Sequence, residues 1–124
     1  MLSDAASRFA RYRRPTTSLA PDVDALLRAA ASAALRDPDI TEQCRRMLLP
    51  LAREDEERRS DLMATLRAYY ACGARVDKTA ERLFLHRNSV RYRLDRVVAL
   101  LRLNIDAPQV MAAILFALAV ADAV

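Results

Sequence analysis

The chain is 124 residues long, enough for one modest hydrophobic core and too short for two. Apolar residues make up 53% of it and aromatic residues only 6%, with no Trp and a single Gly, Gly73; a sheet protein needs turn glycines and β-branched or aromatic runs, so the composition predicts an all-α fold, a helical bundle. The formal charge of +4 is nearly all arginine, Lys78 being the only lysine, and it tilts toward a nucleic-acid partner only mildly, because a GC-rich genome enriches Ala and Arg on any surface.

Residues 1–20, "MLSDAASRFARYRRPTTSLA", carry a net +3, lack a sustained period and end in Pro15, two Thr and a Ser, which predicts a flexible basic arm or linker. An N-terminal helical segment is expected over 21–50. Its first helix runs from a cap at or beside Asp22 to about Arg36, with Val23, Leu26, Leu27, Ala30, Ala33 and Ala34 as the apolar face, until "RDPD" breaks it. Asp39 or Thr41 starts a shorter helix with Ile40, Cys44, Met47, Leu48 and Leu51 at helical spacing, which Pro50 ends or kinks.

The remaining domain is expected over 51–124. "REDEERRSD" reads as the solvated first turns of the next helix, its acids suiting the positive end of the dipole. That helix continues through Leu62, Met63, Leu66, Tyr69, Tyr70 and Cys72, the two tyrosines as core and rim packing, and Gly73 ends it in the left-handed conformation. Asp77 caps a short helix over 78–83, residues 84–86 turn, and a second helix covers 87–101. The last helix begins near Asp106, with Pro108 in its first turn where a missing N–H costs little, and reaches Val124.

Charge concentrates in one place. Residues 75–102 hold eight basic side chains against three acidic ones, +5, while 21–74 and 103–124 each carry −2. On a helical wheel of 87–101, Val90, Leu94, Val97, Val98 and Leu101 fall within about 100° and form the expected buried stripe. Asn88, Arg91, Tyr92, Asp95 and Arg96 lie on the other side, with Ser89 at its edge and Arg87 in the first turn. Arg can donate a fork to guanine, Asn can pair with adenine, and Ser or Tyr hydroxyls and helix N-terminal amides can hold phosphate oxygens. A short helix, a three-residue turn and a second helix with this chemistry is the layout of a helix-turn-helix whose second helix enters the major groove. A helical interaction or dimerisation module, its arginines merely solvated, is the competing reading.

The stretch "KTAERLFLHRNSVRYRLDRV" strongly resembles the C-terminal helix-turn-helix of PucR/CdaR-type bacterial transcriptional regulators, relatives of the Fis-like DNA-binding helix-turn-helix. The pattern is carried by Thr79, Ala80, Leu83, Phe84, Leu85, His86, Arg87, Asn88, Ser89, Val90, Arg91, Tyr92, Arg93 and Leu94, and the likeness extends over about residues 47–121. Two positions depart from it: Ser89 stands where Thr is usual, keeping the hydroxyl and losing a methyl, and Arg102 stands where a helix-ending Gly is frequent, so that Asn104 is expected to take the left-handed cap.

The resemblance implies a sequence-specific DNA-binding domain of a bacterial transcriptional regulator. Arg87, Asn88, Arg91 and Tyr92 are then the base contacts, and Lys78, Thr79, His86, Ser89, Arg93 and Arg96 the phosphate contacts, Arg93 and Arg96 from the flanks of the helix. His86 is also expected to cap the recognition helix. An apolar residue at Phe84 fits the family and is expected to tuck against the core.

Cys44 and Cys72 stand outside any CxxC or Cys/His spacing, and the lone His86 has no ligand cluster or paired nucleophile, so no metal, cofactor or catalytic site is expected and the protein reads as a non-enzyme. The longest apolar run, "VMAAILFALAVA" over 110–121, is too short for a membrane span, and no signal peptide is evident; a cytoplasmic, nucleoid-associated protein is expected. That run leaves its helix no polar face, which predicts a homodimer or cover from another domain, such as an N-terminal sensor in a longer parent protein.

Overall fold

A computed structural model describes residues 21–124, and among them finds six α-helices and no strand. They are α1 Val23–Ala34, α2 Pro38–Arg58, α3 Leu62–Ala71, α4 Val76–Leu83, α5 Arg87–Leu101 and α6 Pro108–Ala123. The expected basic arm at 1–20 lies outside the described residues.

Aspartates start the first two helices. Asp22 accepts from the Ala25 amide at 2.9 Å, and Asp37 accepts from Asp39 and Ile40 at 2.9 and 3.3 Å; such caps are each worth about 1 kcal/mol. Asp37, rather than Asp39 or Thr41, is therefore the cap of α2, with Pro38 in the first turn where proline suits the helix.

Helix α2 differs most from expectation. It passes through Pro50 and runs 21 residues, so "REDEER" forms its last turns instead of the start of the next helix, and the expected 50/51 boundary falls in mid-helix. An interior proline removes one hydrogen bond and costs about 3 kcal/mol. Burial of Cys44 and Leu48 before it and Leu51 and Glu54 after it offsets that cost, because one continuous face is held against the core. The expected acidic support for α3 is real but comes from behind: Asp55 on α2 accepts from the Leu62 and Met63 amides at 2.7 and 3.0 Å.

The helices form two groups sharing α2. Helix α6 packs on α1 and α2, while α3, α4 and α5 pack on one another, and α2 reaches both α3 and α5. Helix α6 buries Ile114, Ala117, Leu118 and Val120, so its lack of a polar face is largely answered within the chain. Helix α1 lies the other way round from its apolar stripe. Ala31 and Ala34 are buried, with Leu27 half-buried, whereas Val23 and Leu26 are both 72% exposed and Ala30 and Ala33 face water beside them. Only one edge of the apolar arc of α1, at Leu27 and Ala34, is covered.

Gly73 (φ 68) closes α3 as expected, with the Ala74 amide donating to the Tyr69 carbonyl at 2.8 Å. Tyr69 and Tyr70 hold the α5–α6 connection: the Tyr69 hydroxyl donates to Asp106 at 2.6 Å and the Tyr70 hydroxyl to the Ile105 carbonyl at 2.9 Å. Burial raises both phenols, Tyr70 to about 12, so both remain protonated donors at neutral pH. Arg102 itself takes the left-handed cap of α5 (φ 56), donating its amide to the Val98 carbonyl at 2.8 Å. Asn104, expected in that role, instead accepts from the Asp106 amide at 3.1 Å. The chain has to leave α5 this early because Ile105, three residues on, is buried and tied to Tyr70.

Candidate nucleic-acid interface

Helix α4 is short, and its packing is set by Thr79 and Ala80, both buried. Thr79 is 0% exposed and donates its hydroxyl to the Arg75 carbonyl at 2.6 Å. It has no surface to offer a phosphate, which corrects its expected role; the small hydroxyl is satisfied internally so that α4 can sit close on α5. Asp77 does not cap α4 as expected, since the helix already begins at Val76 after Arg75. It lies in the first turn, where the Lys78 amide and the Arg75 and Lys78 charges hold its carboxyl below the usual range.

The turn into α5 sorts its three residues. Leu85 points inward to the core cluster, and its amide donates to the Ala80 carbonyl at 3.0 Å. His86 caps α5 as expected, its Nδ1 accepting from the Asn88 amide at 3.0 Å. In the neutral ring that bond leaves the proton on Nε2. Phe84 is not tucked against the core. It takes the left-handed conformation (φ 55) and is 96% exposed, because Leu85 occupies the inward position.

Along α5, Val90, Leu94 and Val97 are buried, while Val98, placed in the stripe by the wheel, is partly exposed at its edge. Arg87, Asn88, Ser89, Arg91 and Tyr92 are all exposed. They do not form one cluster. Asn88, Ser89, Tyr92, Arg93 and Arg96 line a cleft of about 550 Å³ with the end of α2 and the start of α3, whereas Arg91 lines a groove on the other flank with Val76, Asp95 and Arg102. Lys78 stands at the start of α4, exposed and 3.8 Å from Glu81.

The arginines of α5 divide by their partners. Arg96 donates from Nε to Glu54 at 2.9 Å, and Arg58 lies 3.6 Å from the same carboxylate. The Arg96 guanidinium holds the Glu54 carboxyl below the ordinary value of 4.5. Arg93 donates to the Thr65 hydroxyl at 3.2 Å and stands 4.0 Å from Asp61. Arg87 and Arg91 have no carboxylate within 4.0 Å among the described residues. Glu54, Asp61 and Thr65 thus shape the interface without having been legible in the sequence, since Glu54 and Arg96 are 42 residues apart and no local period links them.

Among the described residues no group of three or more His, Cys, Asp or Glu side chains could hold a metal, and no helix is long and apolar enough to cross a membrane. Cys44 is buried, which pushes its thiol up and makes it a poor nucleophile.

A short helix, a tight turn capped at both ends and a second helix with unpaired arginines in its first turns make residues 76–101 a helix-turn-helix. Residues 62–120 match the family model of the PucR C-terminal helix-turn-helix domain, a family of DNA-binding regulator domains, and the match spans α3 to α6 with the helix-turn-helix of α4 and α5 inside it. The match begins at the start of α3, later than the likeness read from residue 47 onward.

A protein of Thermomonospora curvata described as "Uncharacterized protein in pkwA 5'region" is 42% identical over 74 residues, covering 60% of this chain and 41% of its own length. Uncharacterized proteins of Mycobacterium bovis and Mycobacterium tuberculosis are 50% identical over 36 residues, covering 29% of this chain and 9% of theirs. The chain therefore spans less than half the length of the Thermomonospora relative and about a tenth of the mycobacterial ones. No solved structure matches it significantly.

Proposed function

We propose that the protein is a sequence-specific DNA-binding domain of a transcriptional regulator, with the first turns of α5 in the major groove. The observation that carries this reading is the pair Arg87 and Arg91, exposed and free of carboxylate partners among the described residues on a helix whose other arginines are engaged. Folding gains nothing from two unpaired cations about one helical turn apart, whereas guanine O6 and N7 would engage either of them. In this reading Arg87, Asn88, Arg91 and Tyr92 read bases. Lys78, Ser89 and the His86 Nε2–H hold phosphates, and Arg93 and Arg96 add phosphate contacts from positions fixed by Thr65 and Glu54.

A homodimer belongs to the proposal. What supports it is the outer face of α1, where Val23 and Leu26 stand in water with Ala30 and Ala33. Two recognition helices about 34 Å apart would meet successive major grooves. A monomer mass by sedimentation at micromolar concentration would remove this element. An upstream regulatory domain in a longer parent protein is likewise proposed, on the fraction of the relatives' length that this chain spans.

Titration of a mixed-sequence duplex at increasing salt tests the central reading. Affinity should fall steeply with salt, and Arg91→Ala should weaken binding by about 1 to 3 kcal/mol and relax preference at one base position. If no duplex binds at low salt, or if Arg87→Ala and Arg91→Ala bind as tightly as wild type, the protein is a helical interaction module and the reading falls.

A further inference from the structure

Two aromatic side chains among the described residues stand in water, Phe84 and Tyr92, and both belong to the helix-turn-helix, whereas Tyr69, Tyr70 and Phe116 are buried or half-buried. Phe84 is the less expected of the two. Among the described residues, four other than glycine adopt the left-handed conformation: Arg59, Ala74, Phe84 and Arg102. Arg59 and Arg102 lose little by facing water at such a bend and Ala74 is half-buried against the core, but Phe84 combines a backbone position that favours glycine or asparagine with a ring that is 96% exposed. Neither packing nor backbone preference within the fold calls for phenylalanine here.

Its place does. Phe84 lies two residues before His86, the cap of α5, within about 7 Å of backbone. A helix about 10–12 Å across fills a major groove about 12 Å wide, so a side chain just outside the first turn lies against the groove wall. That wall presents deoxyribose carbons between the phosphates, an apolar surface a phenyl ring can cover while Arg87 and Arg91 reach past it. Leu85 turning inward keeps Phe84 turned outward.

We infer that Phe84 is a further DNA-contacting residue, its ring packing on the sugar wall of the groove beside the N-terminus of α5. This rests on the DNA-binding reading above, and it adds an apolar, sequence-tolerant contact to a site otherwise made of charges and hydrogen bonds. The test is Phe84→Gly and Phe84→Asn, both suited to the left-handed backbone, assayed with a mixed-sequence duplex of roughly 30 base pairs and with a duplex enriched by selection.

The expected result is melting at or above the wild-type temperature together with roughly three- to tenfold weaker binding to both duplexes. The salt slope should be unchanged, because no charge is removed, and Phe84→Tyr should bind as wild type. Wild-type affinity in both the glycine and asparagine variants overturns the inference while leaving the DNA-binding reading intact. A wild-type protein that binds neither duplex removes both.

Discussion

From Arg87 to Tyr92, five of the six side chains of α5 face water; beyond them, Arg93 and Arg96 tie the helix to Thr65 on α3, to Asp61 just before it and to Glu54 on α2. The same residue type serves different ends in the two halves. Arg87 and Arg91 have nothing to bind within the described chain, while Arg93 and Arg96 fasten the helix to Thr65 and Glu54. A reading helix needs a rigid rear as much as a reactive front, since a donor pair discriminates between bases only if its position is fixed. The cleft that α5 forms with the end of α2 and the start of α3 spans both halves, lined by Asn88, Ser89 and Tyr92 from the first and by Arg93 and Arg96 from the second.

The largest effect should come from cutting the core beneath both halves. Leu94→Ala removes a buried side chain from the middle of α5 and should cost about 2 to 5 kcal/mol in chemical denaturation, with DNA binding lost in step. Retained stability would show that the two halves are not built on a common core.

Glu54 sharpens the comparison from the rear. Its carboxyl is held below the ordinary 4.5 by Arg96, so its stabilising contribution is complete above about pH 5 and is lost as the pH falls through the folded-state value. Glu54→Gln should lower the melting temperature at pH 7 and flatten its fall on acidification, whereas Arg91→Ala should leave both the melting temperature and its pH dependence unchanged. Identical acid profiles for wild type and Glu54→Gln would mean that the pair does not anchor the helix.

The smallest effect belongs to the front. His86→Ala removes the side-chain cap of α5 and should cost about 0.5 to 1 kcal/mol, and His86→Asn, which can also accept from the Asn88 amide, should restore it. Thermal melts of the three proteins separate this capping role from any phosphate contact, which only the binding assay would register.

Much of this molecule was legible in local pattern. The all-α class, the helix over 87–101, the turn at 84–86, the cap at His86 and the left-handed Gly73 all follow from spacing and from residues whose preferences act over one turn of chain. Local pattern failed where a distant surface decided. Pro50 reads as a stop, yet α2 continues because residues on both sides of it share one buried face. The apolar stripe of α1 reads as core, yet α6 covers only its edge and leaves Val23 and Leu26 in water. The resemblance, in turn, implied Thr79 as a phosphate ligand and Phe84 as core, and their positions are the reverse: the polar residue is sealed in and satisfied by the Arg75 carbonyl, and the apolar one is 96% exposed.

By itself the sequence determined that there would be a basic helix beginning at Arg87 with Arg, Asn, Ser and Tyr at its start, since helical periodicity and capping depend on neighbours a few residues away. Only the tertiary structure decided which of its arginines are free. That choice depends on Glu54, Asp61 and Thr65, brought to the flank of α5 by the packing of α2 and α3, and pairing across 28 to 42 residues leaves no periodic trace in the chain.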